Sequence, residues 1–441
     1  MGCQSNNATE PTPGIAPGGE HLDPRRCAEE VARSHEGLGV DPRIPGAVPG
    51  WDAPFFQAGL AGYSDAAMRI IARRHGCPAC VTEALLDRTL LTGGRGFAKA
   101  DLGELHDNVP GGEEDSPLVG QIMGSEPAEM AAAALKMLEQ DNRGARAYRD
   151  LAYEDLTIHK VRQDLSPLVG VASRRPEDGS DGEEEVGGWK PPPREGVASS
   201  FAAIDVNLAC PVKKIAKKAR GGHWLADAAG AIRILEAVRE AVPAHVPVTV
   251  KMRRSFDDTP EMVESFWKIF DAAYDMGCAW VTVHGRTVEQ KYVGPSRWDL
   301  LKEIREARPD RVIFGSGDIW NAGDIFRMLR YTGLSGVSVA RGCIGNPWIF
   351  RQARDLMAGR EPSMPTIAEQ RKVLEDHFAL AMSVNKAMVR SPESHTGKTM
   401  RKFGIRFAQH HPKSEEVRLR MIAVSTLADW RAVLDDLYRE E

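Results

Sequence analysis

Short apolar runs alternate with helix-like stretches from Trp51 onwards, and this alternation constrains the fold of the chain more than any other feature. The runs are rich in Val, Ile, Ala or Phe and are bounded by Gly, Pro or polar residues, which is typical of buried strands. They are Ala53–Ala58, Cys80–Glu83, Pro117–Met123, Ala203–Asn207, Val248–Met252, Trp280–His284, Val312–Gly315 and Gly336–Val339. Strands that alternate with helices indicate a parallel sheet, and eight such units predict an α/β fold closed as a (β/α)₈ TIM barrel.

The predicted barrel occupies residues 51–360 and is flanked and interrupted by segments of different composition. Residues 1–50 are rich in Gly, Pro and charged residues, and we expect a poorly ordered N-terminal extension there. Residues 142–199 stand where roughly 2–6 residues normally connect a helix to a strand, so we interpret them as an insertion with a partly disordered acidic tip. Without it, about 240 residues remain, close to the roughly 250 of one barrel. Helical patterns without strand signals predict a small all-helical domain over residues 366–441.

The formal net charge of -5 is an average over unlike segments of the chain. Residues 101–115 and 176–188 each carry six acids and no Lys or Arg, and the rest of the chain has a net charge of +7. Bases cluster after Cys210 and again between Arg390 and Arg420, where the net charge is about +5. The composition therefore does not exclude a nucleic-acid partner, although a solvated helix face would show the same pattern.

Nothing in the sequence predicts a membrane segment, a secretory signal or a metal site. No run approaches the roughly 20 apolar residues of a membrane-spanning helix, and the N-terminus lacks a charged and apolar leader. The seven cysteines are odd in number and widely spaced, which favours a reducing compartment, so we expect the cytoplasm. Cys77 and Cys80 have no second cysteine or histidine pair at zinc spacing and are expected to pack in the core.

The fourth apolar run ends at Asn207 and is followed by Cys210, Lys213 and Lys214. In a barrel, the carboxyl ends of the strands carry the chemistry. Two interpretations of the cysteine stay open from these residues alone: a buried core residue before a turn proline, or a side chain that faces a pocket. A thiol with a reference pKa of about 8.5 is mostly protonated at neutral pH and could donate a proton there. The lysines could bind phosphate groups or be solvated.

Charged and titratable residues also end the next two strands. Lys251 and Arg253 follow the fifth run with two-residue spacing, which places both side chains on one face, and the sixth run ends at His284, with Arg286 beyond it. A lysine inside a barrel must be paired or functional because an unpaired buried charge is costly, so a structural ion pair is the alternative. A lone histidine is more often structural, but its place beside Lys251 and Cys210 at successive strand ends favours a pocket.

Two glycine-containing segments follow the last two strands. Ser316, Gly317 and Asp318 follow the seventh strand, and Ala340 and Arg341 in the segment ARGCIG follow the eighth. Loops at these positions commonly form the phosphate site of a barrel. Glycines allow backbone N–H groups to approach a phosphate, and an arginine adds positive charge. Each segment alone could be a tight turn, but the two together predict a phosphate site.

Taken in order, these segments resemble the tRNA-dihydrouridine synthase family. The resemblance covers roughly residues 59–436 apart from the insertion, in the segments GLAGYSDAAMR, VTEALL, GQIMGSEP, DVNLACPVKK, VTVKMR, VTVHGRT, GSGDI, ARGCIGNPWIF and TMRKFGIRF. It implies a cytoplasmic enzyme that uses FMN and NADPH to reduce selected uridines of tRNA to 5,6-dihydrouridine. Gly59, Ala209, Ser316 and Ala340 depart from the family's pattern, which has proline, glycine, asparagine and glycine at these positions.

The resemblance also implies roles for individual residues. Cys210, Lys251 and His284 would be catalytic, with Cys210 protonating C5 of the uracil after the reduced flavin gives a hydride to C6. The FMN site would comprise Gly59, Leu60, Ala61, Gln121, Lys251, His284, Ser316, Gly317, Asp318, Ala340 and Arg341. The uridine or the tRNA would contact Asn207, Lys213, Lys214, Arg253, Arg286, Arg401, Lys402 and Arg406.

Two other functions remain open at the level of sequence. A small-molecule flavin oxidoreductase of the dihydroorotate or dihydropyrimidine dehydrogenase type would explain the flavin site but not the basic helical tail. An RNA-binding protein on a decayed barrel would explain the tail but not the set of Cys210, Lys251, His284 and Arg341. Salt-sensitive tRNA affinity would argue against the first, and a flavin spectrum against the second.

Overall fold

The computed structural model describes residues 39–92, 110–138, 201–212, 221–388 and 391–439. Within these ranges, parallel strands close into a barrel, which confirms the predicted fold. The strands are β1 (Phe55–Gln57), β2 (Cys80–Val81), β3 (Leu85–Leu86), β4 (Leu118–Met123), β5 (Ala203–Leu208), β6 (Val248–Arg253), β7 (Trp280–His284), β8 (Ile313–Ser316) and β9 (Gly336–Val339). The barrel closes where β2 pairs with β4, with Cys80 opposite Leu118, while β3 only extends the sheet at the end of β4.

Helices connect the strands and cover the barrel. They are α1 (Arg43–Ala47), which lies beneath it, α2 (Ala66–Arg74), α3 (Asp87–Thr92), α4 (Pro127–Leu138), α5 (Ala228–Ala241), α6 (Pro260–Asp275), α7 (Trp298–Ala307), α8 (Ala322–Thr332) and α9 (Trp348–Met357). In α6, Phe266, Ile269 and Phe270 recur at helical spacing and form a buried apolar stripe. Asn321 and Asp324 form a capping box that starts α8. This packing leaves the carboxyl ends of the strands open on one face of the barrel.

Helix α1 closes the amino-terminal end of the barrel, where the sequence predicted a poorly ordered extension to residue 50. Ile44 and Val48 are fully buried, and the Trp51 ring lies 5.0 Å from Phe56 and 5.4 Å from Trp280, centroid to centroid. The prediction of disorder does not hold for residues 39–50, because a five-residue helix is too short to show an apolar period among its Gly and Pro neighbours. Residues 1–38 and the predicted insertion at 142–199 lie outside the described residues.

A helical region follows the barrel, as the sequence predicted. In the described part of the chain it consists of α10 (Ile367–Met388), α11 (Pro392–Phe407), α12 (Ser414–Ala423) and α13 (Leu427–Leu437). Helix α10 packs against α2, and the Trp348 ring of α9 lies 5.7 Å from the Phe407 ring of α11. Arg351 and Glu369 form an ion pair of 2.6 Å across the same boundary. None of the described helices has the length and apolar character needed to cross a membrane.

Candidate active site

A cavity opens at the carboxyl ends of the strands, at the end of the barrel opposite α1. The sequence-predicted residues that line it are Gly59, Leu60, Ala61, Gln121, Asn207, Cys210, Lys251, Arg253, His284, Ser316, Gly317, Asp318, Ala340 and Arg341. These residues are far apart in sequence and come together only because the barrel closes. The cavity therefore contains the whole predicted FMN set and all three predicted catalytic residues.

Lys251 reaches the cavity wall from β6 and is half-buried there. Desolvation, with a smaller contribution from the charge of Arg253, lowers the pKa of its ammonium group from 10.5 to about 8, and the charge of Asp205 opposes this shift. A change of this size means that the ammonium form costs about 3 kcal/mol more here than in water, although it still predominates below a pH of about 8. An anion bound in the cavity would offset that cost, so the lysine favours an anionic ligand.

Arg253 is a buried cation, 3% exposed, that also lines the cavity. Its guanidinium donates hydrogen bonds to the backbone carbonyls of Ala209, Thr287 and Lys291 at 2.9, 2.8 and 2.7 Å. These carbonyls orient the side chain without neutralising it, and desolvation lowers its pKa to about 10. Because Arg341 lines the same space, the wall carries an excess of positive charge that attracts anions.

His284, the last residue of β7, is held as a neutral imidazole. Desolvation takes its pKa well below the usual range, and the charges of Arg253 and Lys251 act in the same direction. Its Nδ1 accepts a hydrogen bond from the backbone N–H of Arg286 at 3.1 Å. A neutral ring that accepts at Nδ1 carries its hydrogen on Nε2. The residue is therefore a neutral hydrogen-bond donor on the cavity wall.

Cys210 is half-buried in the cavity wall, which resolves the choice between a core residue and a pocket residue. Desolvation raises the pKa of its thiol, opposed in part by the backbone of Val212 and the charge of Arg253. The sulfur consequently keeps its proton at neutral pH. The loop is anchored on both sides of the cysteine: Asn207 Oδ1 accepts the Ala209 N–H at 2.9 Å, and the Cys210 carbonyl accepts the N–H of residue 222 at 2.9 Å.

The loops after β8 and β9 have backbone shapes that suit the predicted phosphate site. Gly317 has a φ of 117°, and a Cβ there would lie 2.3 Å from Ser296 Oγ. Asp318 also has a positive φ, 57°. A Cβ on Gly342 would lie 2.3 Å from the carbonyl oxygen of Ile319. Both loops thus pass so close to their neighbours that a side chain at Gly317 or Gly342 has no room, and Gly317, Asp318, Ala340 and Arg341 line the cavity.

Arg286 does not line the cavity, although the sequence predicted a contact with uridine or tRNA. It is 2% exposed, and its Nη2 donates to the Asp318 carboxylate at 2.7 Å and to the Gly294 carbonyl at 2.6 Å. The same carboxylate lies 3.5 Å from the guanidinium of Arg341. Arg286 therefore holds the loop of Asp318 in place. The sequence could not show this, because the pairing joins two loops that follow different strands.

The first loop of the cavity is fixed by hydrogen bonds from its own backbone. The Leu60 N–H donates to Ser64 Oγ at 2.8 Å, and the Gly62 N–H donates to the Glu83 carboxylate at 2.8 Å. A Cβ on Gly59 would lie 2.2 Å from the carbonyl oxygen of residue 82. This chain thus has glycine, where the family's pattern has proline, at a position with no room for a side chain in this structure.

Two aromatic residues at the cavity were missed by the sequence analysis. The Arg341 guanidinium lies 4.5 Å from the ring centroid of Trp320 and 5.5 Å from that of Tyr292, and Arg253 lies 5.6 Å from Tyr292. Tyr292 is 53% exposed, which is unusual for a large aromatic residue. A signal was available: the residue falls in the loop directly after the strand that ends at His284. Aromatic rings beside cations are suited to stacking on a base.

The predicted tRNA-binding residues of the tail occupy different environments. Lys402 donates from Nζ to the Gly62 carbonyl and lies 5.1 Å from the ring centroids of both Tyr63 and Phe403. It therefore joins the helical region to the first loop of the cavity, and its contact with RNA stays a prediction. Arg406 is exposed and Arg401 is half-buried. Lys213 and Lys214 lie outside the described residues.

Fold and site together define a class of protein: a parallel (β/α)₈ barrel with a positively charged cavity at the carboxyl ends of its strands and a helical region docked beside it. A family model described as dihydrouridine synthase matches residues 195–439, which is more than half of the chain. The chain belongs to the dihydrouridine synthase family.

Several curated relatives carry the description "probable tRNA-dihydrouridine synthase". The relative from Rickettsia conorii is 38% identical over 176 residues, which cover 40% of this chain and 51% of that protein. The relative from Treponema pallidum is 31% identical over 243 residues, covering 53% and 68%. That from Mycobacterium tuberculosis is 33% identical over 180 residues, covering 40% and 45%. The chain spans about half the length of the Rickettsia and Mycobacterium relatives.

Proposed function

We propose that the chain is a tRNA-dihydrouridine synthase, a flavin enzyme that uses FMN and NADPH to reduce specific uridines in tRNA to 5,6-dihydrouridine. The observation that carries this proposal is the placement of Cys210, Lys251 and His284 on the wall of one cavity, beside both glycine-containing loops. Membership of the family supports the chemistry. The description of the relatives supports tRNA as the substrate.

The residues around the cavity fit a flavin mononucleotide. Its phosphate would lie against the loops of Gly317 and Gly342, where Arg341 adds positive charge. Ser338, on β9, lines the same cavity and is 1% exposed, and its hydroxyl finds no hydrogen-bond partner among the described residues. Buried polar atoms are normally paired, so a bound polar ligand would supply what this hydroxyl lacks. The ammonium of Lys251 likewise favours an anion.

Proton donation to the uracil is assigned to Cys210. When bound and reduced by NADPH, FMN would supply a hydride for C6, which none of this chain's side chains can provide. Because burial keeps the thiol protonated, Cys210 can give the complementary proton to C5. The thiolate left behind would lie near Arg253 and Lys251, whose charges lower the thiol pKa and so stabilise the anion.

His284 and Lys251 are assigned to the stabilisation of negative charge on the substrate ring. The imidazole would donate from Nε2 as a neutral group, and the lysine would act through its ammonium charge. Both groups are desolvated, as their lowered pKa values indicate, so electrostatic interactions with them are stronger than in water.

A uridine must leave the tRNA fold to reach a cavity at the end of a barrel. Tyr292, exposed beside Arg253 and Arg341, is placed to stack on a base at the mouth. Arg401, Arg406, Lys213 and Lys214 are proposed to contact the RNA backbone. We also propose that the protein acts in the cytoplasm, since the five cysteines within the described ranges are all free.

The proposal is tested with the purified chain, FMN, NADPH and tRNA from cells that lack dihydrouridine. We expect a flavin absorption spectrum, NADPH oxidation that depends on tRNA, and dihydrouridine among the nucleosides of the digested tRNA. The affinity for tRNA should fall as salt rises, because phosphate contacts release counterions. NADPH oxidation coupled to free pyrimidines, with no dihydrouridine in the tRNA, would instead support the small-molecule flavin oxidoreductase.

A further inference from the structure

A row of hydrogen bonds connects a buried carboxylate to the loop that follows β5. Asp205 accepts hydrogen bonds from Thr249 Oγ1 at 2.6 Å and from Gln121 Nε2 at 2.7 Å. Gln121 Oε1 accepts from Asn207 Nδ2 at 2.8 Å, and Asn207 Oδ1 accepts the Ala209 N–H at 2.9 Å. All three polar side chains in the row are buried, with Asp205, Gln121 and Asn207 exposed by 5%, 2% and 9%. The row ends one residue before the catalytic cysteine.

The two ends of this row fix the direction of the side-chain amides between them. Burial raises the pKa of Asp205, but the hydrogen bonds from Thr249 and Gln121 and the charge of Lys251 oppose this shift and favour the carboxylate. A carboxylate only accepts, so Gln121 turns its nitrogen towards Asp205 and its oxygen towards Asn207. A backbone N–H only donates, so Asn207 must turn its oxygen towards Ala209 and its nitrogen towards Gln121. Reversing either amide would place two donors or two acceptors face to face, with the cost of unsatisfied buried polar groups.

The fixed direction leaves hydrogen-bond donors for a ligand. Each amide nitrogen has two hydrogens, and the row uses one of them on each nitrogen. Gln121 and Asn207 both line the cavity beside Cys210 and Lys251. Asp205 does not line this cavity. Its side chain lies behind the cavity wall and lines a smaller cavity together with Thr249 and Lys251.

We propose that Asp205 is a positioning residue: its carboxylate holds the Gln121 amide from the end of the row opposite the Ala209 N–H, so that Gln121 and Asn207 both present N–H donors to carbonyl oxygens in the cavity. The acceptors would be the ring carbonyls of the flavin and of the uracil, so the inference rests on the proposed function. Negative charge develops on such carbonyls during reduction, and an N–H donor stabilises it whereas an amide oxygen would oppose it.

Three variants separate the direction of the amides from charge and from packing. Asp205→Asn keeps an oxygen that can accept from Gln121 and a nitrogen that can donate to Thr249 Oγ1, so the amide direction is retained without the charge. Asp205→Leu has a similar volume but offers no acceptor, so the Gln121 nitrogen loses its partner and the amide is held only through Asn207. Thr249→Val removes the other hydrogen bond of Asp205 and leaves the contact with Gln121 intact.

The readouts are the dissociation constant of FMN, from quenching of flavin fluorescence, and the midpoint potential of the bound flavin. We expect Asp205→Leu to weaken FMN binding about tenfold or more and to shift the potential to more negative values, because a donor to the reduced ring is lost. Asp205→Asn and Thr249→Val should stay within about threefold of the wild-type affinity and keep its potential.

Two results would overturn the inference. Equal losses in Asp205→Asn and Asp205→Leu would show that the charge, rather than the amide direction, is what counts. An unchanged affinity and potential in Asp205→Leu would show that the carboxylate does not act on the cavity. Absence of FMN binding by the wild-type chain would instead contradict the proposed function, so the two failures are distinguishable.

A second variant covers the case in which Asp205→Leu does not fold, as judged by circular dichroism. Gln121→Glu has the shape of the wild type but turns an oxygen towards Asp205. A carboxyl group has no second hydrogen to donate to the cavity, so FMN affinity should fall about tenfold or more and the flavin potential should become more negative. An affinity and a potential equal to those of the wild type would contradict the inference.

Discussion

At the scale of single residues, Cys210 carries the sharpest chemical expectation. It lines the cavity and keeps its proton because burial raises the pKa of the thiol. Cys210→Ala should still bind FMN, but the rate of dihydrouridine formation should fall by roughly 10²–10⁴, the usual contribution of a general acid. Single-turnover reduction of tRNA by pre-reduced enzyme measures this rate. Cys278→Ala, at a buried core cysteine, is the control and should keep the rate. Full activity in Cys210→Ala would remove the assigned role.

Lys251 predicts a pH dependence of flavin binding. Its pKa in the free protein is lowered to about 8, so the ammonium is present below that pH and is lost as the pH rises through it. An anionic ligand binds the ammonium form, so FMN affinity should be level between pH 7 and about 7.5 and should weaken towards tenfold per pH unit above about 8. Fluorescence titrations from pH 7 to about 9.5 measure this slope.

The matched control for this slope is Lys251→Arg, because a guanidinium does not titrate in the same range. That variant should give a level profile whatever its absolute affinity. His284 should add no inflection near neutral pH, since desolvation keeps its pKa well below the usual range. The same slope in Lys251→Arg as in the wild type would show that another group titrates.

Much of the site could be predicted from residue type and position, because polar residues at the carboxyl ends of barrel strands share one cavity. The errors arose where a partner decides the role. Arg286 follows the end of a strand, as the residues that line the cavity do, but its side chain binds the carboxylate of Asp318 from another loop and does not line the cavity. Asp205 sits within a strand, and its importance depends on contacts to Gln121 and Thr249 that only the closed barrel creates.

At the scale of elements, the loop after β8 depends on its glycine. Gly317→Ala would force a Cβ to within 2.3 Å of Ser296 Oγ at a φ of 117°. We expect the loop to move and FMN affinity to fall about tenfold or more. Gly277→Ala is the control: its φ is 83° but no atom lies within 4 Å of the added Cβ. It should cost about 1 kcal/mol of stability and leave FMN affinity unchanged. Equal affinities in the two variants would contradict the assigned phosphate site.

The alternation of strands and helices was predictable because each strand and each helix carries its own pattern of buried apolar residues. The predicted strands occur in the structure in the predicted order. Elements whose stability comes from distant partners were not predictable. Helix α1 is only five residues long, and it is held by Ile44 and neighbouring residues packed beneath the barrel. The two-residue strand β3 exists only through its pairing with β4.

At the scale of the whole molecule, the helical region contributes to the cavity through Lys402. This lysine donates to the Gly62 carbonyl in the first loop, whose residues Gly59, Leu60 and Ala61 line the cavity. Lys402→Met should therefore weaken FMN binding by about three- to tenfold, because a charged hydrogen bond that orders the loop is lost. The affinity of the FMN-saturated protein for tRNA should change little.

Arg401→Met gives the matched comparison, because Arg401 is adjacent in sequence and donates only within the helical region among the described residues. It should leave FMN affinity unchanged and weaken tRNA binding, with a shallower dependence on salt. Flavin fluorescence and filter binding at several salt concentrations measure the two affinities. Loss of tRNA binding in Lys402→Met without loss of FMN affinity would instead show that Lys402 acts as an RNA contact.

The central claim is that this chain makes dihydrouridine in tRNA, and mapping that nucleoside in cellular tRNA tests it most directly. The gene is deleted, and dihydrouridine is mapped position by position in tRNA from the deletion strain, with and without a plasmid carrying the wild-type gene. The account predicts that dihydrouridine disappears from one or more positions and returns with the wild-type gene but not with Cys210→Ala. Dihydrouridine retained at every position in the deletion strain would contradict it.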